Sequence, residues 1–166
     1  MYKQHLLNSI IKEMKICRRL YTKISPEKMD FKPKEETRSI LELLQYLTFI
    51  GTTMPRFWLN ERDVDFTTFF TKMTNAAKEL SHEKFLPVMN EQIEKTNDLF
   101  NQISEEDLFH KEVTYPWAGK APLGEAIIET SIKWLSAYKL QLFFYIKLSS
   151  DQKLGTADAW VLTEID

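Results

Sequence analysis

Apolar residues return at three- and four-residue steps through most of this chain, which is the period of a helix with one face buried. Leu6, Leu7, Ile10, Ile11, Met14, Cys17, Leu20 and Tyr21 predict a first helix over roughly residues 3–23. Lys12, Glu13, Lys15, Arg18 and Arg19 fall largely on its other side. Ser25-Pro26 stops it, and Pro33 marks a second break, so 24–34 reads as a connection. Ser39 and Glu42 have capping-box spacing, in which the hydroxyl accepts from the amide three residues on and the carboxylate reaches back. The next stripe, Leu43, Leu44, Leu47, Ile50, Gly51 and Met54, predicts a second helix. Pro55 should kink or end it.

The stretch 60–80 carries weaker periodicity. It reads as a loop with a short helix near 69–80, long enough to cross a bundle rather than join neighbours. Ser81 is a candidate N-cap for the next long helix. Met89, Ile93, Thr96, Phe100 and Ile103 form its heptad-like seam, with Pro87 in its first turns. Ser104 and three adjoining acidic residues predict one further capped turn. Residues 110–122 hold two prolines and a glycine, and so form an ordered loop with an extended piece at 112–114. A last long helix spans 123–149, with apolar residues almost all round, which predicts a central, buried element. Residues 151–166 read as a tail.

Four long helices joined by loops predict an all-α antiparallel four-helix bundle in a single domain, residues 1–166, with short extra helices. Composition agrees. Only four Gly and six Pro occur in 166 residues, too few for the tight turns of an all-β fold. Hydrophobic content of 43% and charged content of 28% suit a globular core. With a net charge of −2 and no basic block, no nucleic-acid partner is expected. No run is apolar enough for a membrane span or a signal peptide. The single cysteine, Cys17, suits a reducing, cytoplasmic compartment.

The candidate chemistry is sparse. His5, His82 and His110 never pair at metal-binding spacing, and each alone reads first as a surface or capping residue. His110 opens the loop leading to Trp117 and is a candidate for a pocket mouth. Glu125 and Glu129 lie one turn apart, either as a metal pair or as complements to a helix dipole. Cys17 has Arg18 and Arg19 beside it in sequence, yet reads as a buried thiol. No phosphate loop or nucleophile elbow is present. Trp134 and Tyr138 share one face of the last helix, one turn apart.

The segments RSILELLQYL (38–47), YPWAGKAPLGEAI (115–127), KWLSAYKLQLFFYIKL (133–148) and LGTADAWV (154–161), in that order, resemble the DinB/YfiT-like superfamily of helical bundles. The resemblance covers nearly the whole chain. It implies a bundle whose metal-binding members hold nickel or zinc with one histidine from the second helix and two from the last. At those positions this sequence has Tyr46, Trp134 and Tyr138, with Gln141 three residues further on. Tryptophan offers no in-plane lone pair and neutral tyrosine is a poor donor.

The resemblance therefore implies the fold without the thiol-transferase or isomerase chemistry of metal-bearing relatives. No cofactor is expected, and a nickel or zinc ion only if other residues rebuild the site. The reading is a non-catalytic protein that binds a small apolar or aromatic molecule near Tyr46, Trp134, Tyr138, Gln141, His110 and Trp117. The alternative is a metal-dependent or relocated-site hydrolase or thiol S-transferase, with His110, Glu129, Gln141 and Tyr138 converging. Pairing into a homodimer through bundle helices is also expected.

Overall fold

The computed structural model describes residues 1–61 and 63–162. Arg62 of the 60–80 stretch and the last four residues of the tail lie outside the described residues. Four long helices form the frame of the fold: α1 (Tyr2–Tyr21), α2 (Ile40–Asn60), α4 (Phe85–Asn101) and α7 (Lys133–Ser149). Shorter ones fill the connections, α3 (Phe66–Lys78), α5 (Glu105–His110) and α6 (Leu123–Ile127), and α8 (Thr156–Trp160) lies in the tail. The protein is mostly helical, and the one sheet among the described residues is a hairpin of β1 (Glu112–Thr114) and β2 (Lys120–Pro122). Among the described residues no helix is long and apolar enough to cross a membrane.

Both α1 and α2 pack against α4 and α7, while α1 and α2 barely meet. The four long helices thus enclose one core, with Ile10, Met14, Leu43, Leu47, Met89, Phe100, Leu135 and Leu142 at most 1% exposed. Each such side chain contributes roughly 1.5–3 kcal/mol on leaving water.

Local signals decide the helix ends. Ser39 accepts from the Glu42 amide at 3.1 Å, and Glu42 accepts from the Ser39 amide at 2.7 Å, so the capping box starts α2. Ser104 and Asp107 make the same box at α5. Asp65 caps α3 through the Thr68 amide at 2.9 Å. Pro87 sits in the first turn of α4, where its missing N–H costs nothing. Ser81 precedes a short 3-10 turn, His82–Lys84, that leads into α4.

Several expectations are corrected. The second helix does not end near Pro55 but runs on to Asn60. Thirteen of its residues are buried, and that burial outweighs one lost hydrogen bond. The 60–80 stretch does not cross the core: α3 lies along α2, and α2 in turn packs against α4, so the connection joins neighbours. The tail is not free of structure either, since α8 packs on α1 with Ala159 fully buried.

The last long helix is interrupted by a π-helical turn, Ile128–Ile132, between α6 and α7. One extra residue in a turn shifts the phase of the next helical segment by roughly 100°. The apolar residues of 123–149 therefore serve two differently facing stripes, which on one unbroken helix would run all round. α7 is not wholly buried: Phe144 is 50% and Leu148 64% exposed.

Candidate functional site

The α2 capping box fixes Arg38 immediately before the helix and Tyr46 two turns into it. The α7 side chain Tyr138 meets Tyr46 edge to face, with ring centroids 4.8 Å apart. The Arg38 guanidinium lies over both rings, 4.4 Å from the Tyr46 centroid and 5.5 Å from that of Tyr138. Burial pushes the Tyr46 phenol far above its ordinary range; the neighbouring Tyr138 adds to this and Arg38 opposes it. Tyr46 is therefore a neutral hydrogen-bonding phenol at physiological pH and not a base.

On its other side Tyr46 belongs to an aromatic cluster shared by α2 and α3. Its ring centroid is 5.2 Å from Phe49 and 6.4 Å from Phe70, and those two are 5.8 Å apart. These rings floor a cavity of about 440 Å³ between the two helices, edged by Arg38, Glu42, Thr74 and Lys78. Gln45 ties its wall together, donating from Nε2 to the carbonyls of Lys78 (3.1 Å) and Leu80 (2.8 Å). The volume lies within the range of small-molecule sites.

Of the six side chains that the sequence singles out, Tyr46 lines this cavity and Tyr138 backs it. Trp134 faces a second aromatic group. Trp117, at the hairpin tip and 57% exposed, lies 5.8 Å from Trp134 and stacks on Tyr115 at 5.2 Å. Trp58 closes that row beside Tyr115 and donates from Nε1 to the Thr114 carbonyl at 3.0 Å. Gln141 donates to the Tyr145 hydroxyl on its own helix at 2.6 Å. His110 lies against Phe109, which stacks on Tyr2. Glu129 pairs with Lys133 at 2.5 Å. Among the described residues no hydrogen bond, ion pair or ring contact joins any two of His110, Glu129, Gln141 and Tyr138.

Tyr46, Trp134 and Tyr138 do not fit a divalent metal, since indole offers no in-plane lone pair and a neutral phenol is a poor donor. Tyr46 and Tyr138 are held against each other beneath a guanidinium, whose charge repels a cation. Among the described residues no group of three or more His, Cys, Asp or Glu side chains is placed to hold one.

Sequence reasoning missed Phe49, which lies off the apolar stripe read for α2, and Phe70, Thr74 and Lys78, because α3 gave little signal. It also placed Glu13 largely on the outer face of α1. Glu13 instead forms an ion pair with Lys139, a fully buried lysine of α7. The signal for Lys139 was present: Leu135, Lys139, Leu142 and Ile146 step by four, three and four along one stripe. Beside this pair Cys17 is fully buried, as the sequence pattern predicts, and burial pushes its thiol far up.

No protein-family model matches the chain, and no curated protein matches it.

Proposed function

We propose that this chain is a DinB/YfiT-like antiparallel four-helix bundle that acts without a metal and binds a small apolar or aromatic molecule. The observation that carries the reading is the cavity of about 440 Å³ floored by Tyr46, Phe49 and Phe70. Its floor is apolar and aromatic, and a few polar groups stand at its edge, as in small-molecule sites generally. The pairing of α1 and α2 each with α4 and α7 supports the bundle type. Tyrosine and tryptophan at the three ligand positions support binding without metal chemistry.

Two measurements test this. Metal analysis of protein purified without a histidine tag is expected to find no stoichiometric nickel or zinc. A nuclear magnetic resonance titration with 2-naphthol is expected to shift signals from Phe49, Phe70 and Thr74 together. A stoichiometric transition metal, or shifts confined to other parts of the chain, overturns the proposal.

A further inference from the structure

We infer that the molecule this cavity takes is a small aromatic carboxylate, with its ring on Phe49 and Phe70 and its charge on Arg38. The inference rests on reading the cavity as a ligand site. It starts from the charges at the rim. Three charged side chains line the cavity: Arg38, Lys78 and Glu42. Glu42 is already engaged, accepting from the Ser39 amide at 2.7 Å and lying 3.6 Å from Lys32. The Ser39 amide, with help from Lys32, holds its carboxyl below the usual range, so it stays an occupied anion. Among the described residues, no carboxylate is paired with either Arg38 or Lys78. The cavity therefore presents two cations that form no ion pair, against one carboxylate that is engaged by the Ser39 amide and Lys32.

The placement of Arg38 suits a carboxylate in particular. Its Cζ lies within cation–π distance of both the Tyr46 and Tyr138 rings, and no acidic side chain pairs with its N–H groups among the described residues. A guanidinium held against aromatic rings is partly ordered before binding, and its fork of N–H groups matches two carboxylate oxygens side by side. Thr74 adds a third polar group: its Oγ1 is buried with no hydrogen-bond partner. An unsatisfied buried hydroxyl is costly, and Thr74 is one of the residues lining the cavity.

A neighbouring cavity provides an internal comparison. It measures about 460 Å³, shares Phe49, and is edged by Arg56 and Lys95. There the cations are answered: Arg56 pairs with Glu61 at 3.1 Å and Lys95 with Glu91 at 3.4 Å. Of the two cavities, the one beside Tyr46 is the one with charge to spare.

The test is calorimetric titration with 2-naphthoate and with 2-naphthol, which share a ring system and differ in charge. Naphthoate is expected to bind at least tenfold more tightly than naphthol. Arg38→Gln is expected to remove most of that preference, lowering naphthoate affinity far more than naphthol affinity. Arg38→Lys keeps the charge but loses the fork, and should retain part of the preference. Arg56→Gln should change neither probe. Equal binding of the two probes, or a preference that survives Arg38→Gln, overturns the carboxylate inference and leaves the cavity reading standing. A preference lost in Arg56→Gln instead overturns it by placing the anion next door. Binding of neither probe overturns the cavity reading and this inference with it.

Discussion

The Lys139 ammonium of α7 lies 2.5 Å from the Glu13 carboxylate of α1, with the lysine side chain fully buried and that of the glutamate 16% exposed. The ring of Trp160 in α8 covers the ammonium from 4.3 Å. Arg19 holds α8 in place, donating to the carbonyls of Ala157 at 3.1 Å and Asp158 at 2.7 Å. A charge pair is thus sealed between two core helices by a five-residue helix.

Removing half of such a pair costs more than removing all of it, because the remaining charge is stranded away from water. Glu13→Gln is expected to destabilise the protein by about 3–5 kcal/mol. Glu13→Leu combined with Lys139→Met is expected to recover most of that loss. Urea denaturation of the three proteins checks this. A double variant no more stable than Glu13→Gln would show that the pair has a positive net contribution.

Cys17 makes stability depend on alkaline pH. Burial, and after it the charge of Glu13, raise its folded pKa above the unfolded value, while Lys139 partly opposes them. Its contribution is fully present below the unfolded pKa of about 8.5 and is lost as pH rises beyond it, because the unfolded chain releases the proton first. The slope is about 1.4 kcal/mol per pH unit. Cys17→Ala is expected to destabilise at neutral pH by loss of packing, and to show a shallower decline above pH ~8.5 than the wild type. Denaturation midpoints from pH 7 to 10 decide it; parallel declines would assign the alkaline loss to other groups.

Two glycines should answer differently to alanine. A Cβ at Gly51 would meet Met14 Cε at 2.7 Å and Leu135 Cδ1 at 2.8 Å, both ends of movable side chains. At Gly124 it would meet the backbone carbonyl oxygen of Leu108 at 2.8 Å, which cannot step aside. Gly124→Ala is expected to cost about 1–3 kcal/mol. Gly51→Ala should cost less, since alanine returns up to about 1 kcal/mol in helix propensity. Thermal melts of both variants test the order.

The hairpin tip stores strain at Ala118, whose φ of 126° is a region suited to glycine. Ala118→Gly relieves about 1–3 kcal/mol of strain against roughly 0.4–1 kcal/mol of added unfolded-state entropy. A net gain of about 1 kcal/mol corresponds to a rise of about 2–4 °C in Tm for a chain of this length. An unchanged or lowered Tm would contradict the strain.

The sequence by itself determined the features that depend on near neighbours. The capping box of Ser39 with Glu42 and the capped turn at Ser104 were legible because each closes within three residues. The extended piece at Glu112–Thr114 came from local turn chemistry, and the four long helices from their periodicity. No local pattern joins Tyr46 and Tyr138; their contact links two helices distant in the chain. Tertiary structure decided the rest. Pro55 remained inside α2 because burial of that helix outweighed a local penalty. Lys139 stood on the apolar stripe of its own helix, but only the packing of α1 on α7 showed that Glu13 turns inward to supply its counter-charge. The cavity beside Tyr46 needed α3 laid along α2 to bring Phe70, Thr74 and Lys78 opposite Arg38. Periodicity tells a residue which side of its own helix it occupies, and packing alone tells it what it will face there.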